Sequence, residues 1–114
     1  ASLPSATVPS TSTGTTEIGK FTLPQGIYLV IIFIQWSTNA NGRRYINFAK
    51  TSGASEGNTR WQSDSVATTP AGVCTQRMIF TLNNTEASDW YLNALQNSGS
   101  SLTALIRYNF VKIG

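Results

Sequence analysis

The chain has 114 residues, of which 40% are hydrophobic and 11% are charged, so it is long enough to form one small domain with its own core. It carries a net charge of +3, one cysteine and no histidine. These numbers exclude histidine-dependent catalysis, an intrachain disulfide and a metal site rich in cysteine or histidine. With so few acidic residues available, we expect no enzymatic activity, no metal and no cofactor.

Residues 1–16 are rich in serine, threonine and proline and predict an extended lead-in or edge strand, because Pro4 and Pro9 interrupt any ladder of backbone hydrogen bonds. The chain starts at Ala1 and shows no charged and apolar leader, so we expect an upstream tail or stalk segment rather than a secretion signal. The longest apolar run, 27–34, is too short to cross a membrane, and we expect no membrane insertion.

From residue 17 onward, β-branched and apolar runs alternate with turn clusters, which is typical of an all-β protein. The predicted strands are 17–23, 26–36, 43–49, 59–66, 73–82, 89–96 and 101–112. Segment 84–96 leaves a helix open as an alternative, although the alternation of Trp90, Leu92 and Ala94 favours a strand. With the lead-in, about eight strands predict an antiparallel two-sheet jelly-roll sandwich, with one head domain over 17–114.

Two of these strands are apolar on both faces, namely 27–34 and 104–113. An antiparallel sheet in a monomeric sandwich normally leaves one face to water. Because no helix is predicted that could cover the outer face, we expect another copy of the chain to cover it. The alternative is that the loops or the N-terminal segment fold over that face.

Three segments in chain order resemble one family. The stretch 21–30 (FTLPQGIYLV) resembles the aromatic, Pro-x-Gly-x-Tyr and apolar-strand element of tumour-necrosis-factor-like and complement globular-head jelly rolls. Segment 40–47 (ANGRRYIN) is similar to the hairpin and next strand of the phage and bacterial members, and 90–102 is similar to their penultimate strand and turn.

The resemblance implies a trimeric TNF-like head at the tip of a phage tail fibre or baseplate receptor-binding protein. Such a head would lie outside the cell on the virion and attach to host cell-surface saccharide. We expect the interface of this homotrimer to involve Tyr28, Val30, Ile32, Ile34, Leu105, Arg107 and Val111.

The best candidate for ligand binding is the run Arg60, Trp61, Gln62 and Asp64, which offers an aromatic surface beside hydrogen-bonding groups for sugar hydroxyls. Strand alternation places Trp61 on the face opposite the other three, so Trp61 could instead belong to the core.

Arg43 and Arg44 could bind a phosphorylated polysaccharide through charge-assisted hydrogen bonds. Alternatively, one of the two pairs with an acidic residue and the other flanks a hairpin. The remaining basic residues are scattered along the chain, so we expect no nucleic-acid binding.

The sequence therefore predicts a non-enzymatic receptor-binding head. The alternatives are a structural trimerisation module or capsid-like jelly roll, and a bacterial surface adhesin or cytokine-like ligand.

Overall fold

The structure is a computed structural model that describes residues 1–55, 61–66 and 72–114. The described residues form eight strands and no helix, which confirms the all-β prediction. The strands are β1 (Ala6–Val8), β2 (Thr16–Leu23), β3 (Gly26–Trp36), β4 (Arg43–Ala49), β5 (Trp61–Val66), β6 (Thr75–Asn84), β7 (Ser88–Gln96) and β8 (Leu102–Lys112). The described residues include no helix long and apolar enough to span a bilayer.

Two antiparallel four-stranded sheets form the sandwich. The first sheet has the order β1-β8-β3-β6 and the second has the order β2-β7-β4-β5. Every connection except that from β4 to β5 therefore leads from one sheet to the other, and the interleaving is that of an eight-stranded jelly roll. The segment that left a helix open, 84–96, forms the end of β6 and the whole of β7.

The N-terminal segment lies along the edge of β8. Beyond β1 itself, Leu3 N donates to Ile106 O at 3.1 Å and Tyr108 N donates to Ala1 O at 3.0 Å. The side chain of Leu3 packs against the core between the two sheets. The lead-in is thus an edge strand that closes part of one side of the sandwich.

The interior is filled by branched and aromatic side chains from both sheets. Val30, Ile32 and Ile34 of β3 have no exposed surface, and each such burial stabilises the fold by roughly 1.5–3 kcal/mol. Within the second sheet, the ring of Phe48 stacks on Trp90 with centroids 5.3 Å apart, and across the interior it packs against Phe80 of β6 at 5.4 Å. The core therefore runs along the full length of β3.

This packing corrects part of the predicted trimer interface. Four of its residues fill the interior of one protomer and cannot meet a neighbour, so their assignment is wrong: Tyr28, Val30, Ile32 and Ile34. Both faces of β3 are apolar, so alternation alone did not reveal which face points inward. The outward face of β3 carries Ile27, Leu29, Ile31 and Phe33, and the predicted Leu105, Arg107 and Val111 also point outward.

The chain covers the outer face of its second sheet by itself. Asn93 Nδ2 donates to Thr51 O at 3.1 Å, and Asn47 Nδ2 donates to Ala54 O at 2.9 Å. Gly53 N in turn donates to Asn93 Oδ1 at 2.8 Å. Segment 50–55 therefore lies over β4 and β7 of the second sheet, whereas the two strands that are apolar on both faces, β3 and β8, belong to the first sheet.

Candidate binding site between the edge strands β5 and β6

Strands β5 and β6 are the edge strands of the two sheets on the same side of the sandwich. Gln76 bridges them, because its Nε2 donates to Ser63 O at 3.2 Å and to Arg44 O at 3.0 Å. Its Oε1 accepts a hydrogen bond from Trp36 Nε1 at 2.7 Å. The interior is therefore closed at this end of the edge by a fully engaged amide side chain.

Further along the same edge a shallow cleft opens, with a volume of about 270 Å³. It is lined by Trp61, Gln62, Arg77, Met78, Ile79 and Phe80. The Trp61 ring is half-buried and stacks on Phe80 with centroids 4.7 Å apart and an interplanar angle of 15°. An aromatic ring, an amide and a guanidinium thus border one concave surface, which suits a polar ligand with apolar C–H faces.

The structure divides the predicted binding residues between two places. Trp61 and Gln62 lie at the cleft, and Gln62 Oε1 accepts a hydrogen bond from the Tyr45 hydroxyl at 2.8 Å. Asp64 forms a two-pronged ion pair with Arg43, at 3.1 and 2.9 Å, beside a second depression lined by these two residues, Ser65 and Val66. The predicted Arg60 lies outside the described residues.

Arg44 is fully buried, so its assignment as a residue that contacts a surface ligand is wrong. Its guanidinium donates to Asn41 O at 2.6 Å and to Asn39 O at 2.7 Å. The side chain points inward at the end of the sandwich and holds the connection between β3 and β4 in place. The alternative interpretation of this pair holds for Arg43, which binds Asp64, but not for Arg44, which is buried beside a connection between the two sheets and does not flank a hairpin.

Trp61 both packs against the core and borders the cleft, so each of its two predicted roles describes part of its position. Its ring packs against Phe48 and Trp90 of the core at 6.5 and 5.8 Å between centroids, yet one side borders the cleft. The aromatic surface is therefore held rigidly by core packing, which lowers the entropy that a ligand would have to remove on binding.

Sequence reasoning missed the contribution of β6 to this cleft. Arg77 lies opposite Phe33 on the outer face, with its guanidinium 5.8 Å from the ring centroid. The only indication in the sequence that β6 would lie near β5 was that consecutive strands tend to be neighbours in space. That signal does not say which side chains of β6 border β5, because the two strands belong to different sheets.

Among the described residues, no group of three or more histidine, cysteine, aspartate or glutamate side chains is placed to hold a metal ion. The thiol of Cys74 is buried and lies 3.7 Å from Ser65 Oγ, where it joins β6 to β5. The chemistry that the described edge offers is therefore hydrogen bonding, ring stacking and a single cationic group at the cleft, Arg77.

Comparison with known proteins finds likeness in fold only. No family model matches the chain, and no curated protein matches it. A chain in the structure of infectious bursal disease virus, Gx strain, has a similar fold, with a TM-score of 0.55 and 8% sequence identity. The similarity covers 96% of this chain and 30% of that chain, so this chain spans less than a third of the viral chain's length.

Proposed function

We propose that this chain is a non-enzymatic jelly-roll module of a virus particle that assembles as a homotrimer and serves as a receptor-binding head at a phage tail tip. The observation that carries the proposal is the apolar outer face of the first sheet. The fold likeness to a chain of infectious bursal disease virus supports the assignment to a virus particle.

The apolar outer face is defined by the outward side chains of β3, β6 and β8. The register places Ile79 beside Ile31 and Val111 beside Leu29, and Ile113 N bonds to Ile27 O at the end of the same face. The most exposed are Ile79 at 60%, Ile113 at 57%, Leu105 at 50%, Ile27 at 41% and Val111 at 40%. A contiguous apolar patch of this kind marks an interaction surface in soluble proteins.

The charges on this face favour a ring of copies over a two-fold pair. Arg77 and Arg107 both lie directly opposite Phe33, one on each side, and no outward side chain of the described parts of β3, β6 and β8 is acidic. A two-fold contact centred on Phe33 would set this face against itself and bring arginine against arginine. A head-to-tail ring sets the face against a different surface of the neighbour, and a closed ring of three satisfies this requirement.

The cleft between β5 and β6 is the proposed saccharide site. Sugars present flat C–H surfaces and paired hydroxyls, and the cleft offers the edge of Trp61, the amide of Gln62 and the guanidinium of Arg77. A shallow cleft gives weak binding to one sugar unit. Three copies on one head would raise the overall affinity through multivalency.

Assembly is tested with the double variant Ile79→Lys/Val111→Lys, which places two ammonium groups on the apolar outer face. The expected result is a folded monomer by light scattering at a concentration where the native chain is a trimer. The control is Ser12→Lys, which adds a cation at an exposed loop position and leaves the mass unchanged. If the double variant keeps the native mass, this face is not the interface.

Saccharide binding is tested by screening the native protein on a glycan array and then measuring the best ligand against two variants. Arg77→Ala is expected to weaken binding about tenfold, the effect of losing one charge-assisted hydrogen bond. Lys20→Ala is the matched control, because Lys20 is an exposed cation on β2, at the opposite edge of the second sheet and outside the cleft. Equal losses in the two variants, or no glycan bound at all, would contradict the saccharide site.

The second candidate function is a capsid-like or trimerisation module that binds no receptor. The same apolar outer face and the same fold likeness support it, and only the cleft favours the receptor-binding head. A native trimer that binds nothing on the array would favour this second function.

A further inference from the structure

Strand β6 is paired on one side only. β3 pairs with that side without interruption, from Gln35 beside Thr75 to Gly26 beside Asn84. Among the described residues, none forms a backbone hydrogen bond with the other side of β6. Edge strands of soluble proteins are usually short or interrupted by proline, a bulge or several charges. β6 has 10 residues, no proline, no break in register and a single charge, that of Arg77, so its open side is able to pair with another strand.

The hydrogen bonds on the paired side identify the backbone groups on the open side. Trp36 N donates to Cys74 O at 3.0 Å, so the even-numbered residues of β6 face β3. The far side of β3 agrees, because the odd-numbered Ile27 bonds there through both its N and its O, at 3.2 and 2.7 Å. The odd-numbered residues of β6 therefore turn both N–H and C=O to the open side: Thr75, Arg77, Ile79, Thr81 and Asn83.

The same five residues are arranged so that β6 can pair with itself. All five side chains are exposed on the outer face of the first sheet. When two copies of β6 lie antiparallel with Ile79 opposite Ile79, Arg77 lies opposite Thr81 and Thr75 lies opposite Asn83. Every N–H and C=O on the open side then meets a partner, and no cation faces a cation. A shift of two residues leaves one residue of each strand unmatched, and a shift of four in one direction sets Arg77 against Arg77.

We propose that the open side of β6, the β6 edge, pairs antiparallel with the β6 edge of a second copy of this chain. The two-fold axis passes beside Ile79, and the two four-stranded first sheets become one continuous sheet. The contact is made by the backbone of one edge strand, so it goes beyond the proposed trimer and does not depend on it. A paired copy also covers the β6 side of the cleft, so pairing and a saccharide bound in the cleft exclude each other.

The apolar side chains near the centre of β6 also favour a second copy as the partner. Ile79 is 60% exposed in the single chain and would lie beside its own counterpart. On the other face of the pair, Phe80 would lie beside Met78 of the second copy, because these residues flank Ile79 in the strand. Phe80 is partly exposed in the single chain, and both residues line the cleft. Pairing therefore removes apolar surface from water on both faces while it satisfies the backbone.

Light scattering of the native chain from about 10 μM to about 1 mM tests the pairing. One pair of edge strands buries less surface than the roughly 1,200 Å² of a stable interface, so we expect pairing only toward the upper end of this range. The expected mass there is twice the mass at low micromolar concentration. This doubling is read against the lower value, whether that value is a trimer or a monomer, so the result is separate from the test of the trimer.

Amide exchange measured by NMR locates the contact on β6. Between the two ends of the concentration range, exchange at Arg77, Ile79 and Thr81 is expected to slow about tenfold. The amides of Met78 and Phe80 are the internal reference, because they already bond to β3 in the single chain, and their exchange is expected to change little.

Two variants at one position separate the backbone from the side chain. Thr81→Pro removes an N–H that faces the open side and leaves the hydrogen bonds to β3 in place, and it is expected to weaken pairing about tenfold. Thr81→Val keeps that N–H and is expected to pair as the native chain does. Circular dichroism and the unfolding midpoint verify that both variants are folded.

Two results would overturn the proposal. One is a mass that does not rise between the low micromolar and the millimolar end of the series. The other is a rise in mass that is equal in Thr81→Pro and Thr81→Val and leaves exchange at Arg77, Ile79 and Thr81 unchanged, which would place the contact on another surface of the chain.

Discussion

Asn84 closes one end of the sandwich with its side chain alone. Its Nδ2 donates to Leu23 O at 3.1 Å and to Pro24 O at 2.9 Å. Its Oδ1 accepts hydrogen bonds from Ser88 Oγ at 2.7 Å and from Trp90 Nε1 at 3.1 Å. One buried amide thus joins the turn between β2 and β3 to the start of β7 and orients the indole ring of Trp90.

Replacing Asn84 with alanine is expected to lower the free energy of unfolding by about 2–4 kcal/mol, because it removes the buried acceptor of the Trp90 indole N–H and the hydrogen bonds to Leu23 O and Pro24 O. Urea denaturation followed by tryptophan fluorescence measures the change. Asn83→Ala is the matched control, since Asn83 is exposed, and it should shift stability by less than about 0.5 kcal/mol. Similar losses for the two variants would mean that the amide network of Asn84 contributes little.

At the residue scale, the sequence predicted the kinds of interaction that side chains make better than it predicted where each side chain lies in the fold. Arg43 and Arg44 are adjacent, and nothing in the amino-acid sequence indicates that Arg43 forms an exposed ion pair whereas the guanidinium of Arg44 is buried. The difference comes from tertiary packing, since residues of the β3–β4 connection supply the carbonyls that bind Arg44. The role of Asn84 was equally hidden, because polar side chains in a strand are ordinarily solvated.

At the element scale, the connection between β3 and β4 depends on Gly42. This residue has a φ of 76°, and a Cβ at this position would lie 2.5–2.7 Å from the side chain and backbone of Asn97. Asn97 Oδ1 also accepts a hydrogen bond from Arg43 N at 2.7 Å. The chain therefore needs a residue without a side chain where the connection passes the end of β7.

Gly42→Ala is expected to destabilise the fold by about 1 kcal/mol or more beyond the effect of Gly99→Ala. Gly99 has a φ of 98° with no atom near its would-be Cβ, so it shares the backbone penalty without the clash. Thermal unfolding of both variants measures the difference. Equal unfolding temperatures would show that the turn moves away from Asn97 at little cost.

Strand existence could be predicted from the sequence because alternation and turn residues are local properties. The sequence could not show which face of β3 points inward. Tyr28–Ile34 is apolar at every position, so either face could form the core. In strand β4, too, the alternation of residues does not predict which side chains are buried. Its outward Asn47 is buried because segment 50–55 lies over it, a contact that no periodicity in β4 reveals.

At the scale of the whole molecule, the two sheets differ in what covers their outer faces. The second sheet is covered by its own segment 50–55 through Asn47 and Asn93. The first sheet carries exposed isoleucine, leucine and valine side chains on three neighbouring strands. Two strands that are apolar on both faces predicted a covered sheet, and the exposed apolar side chains make the first sheet the surface on which we propose that copies assemble.

The measurement that tests this central claim most directly is the mass of the native chain in solution, by light scattering over a series of low micromolar concentrations. A trimer predicts a mass near three times 12.3 kDa that persists on dilution. Moderate salt should not dissociate it, because the contact is mainly apolar. A stable monomer of 12.3 kDa throughout the series would contradict assembly through the apolar outer face.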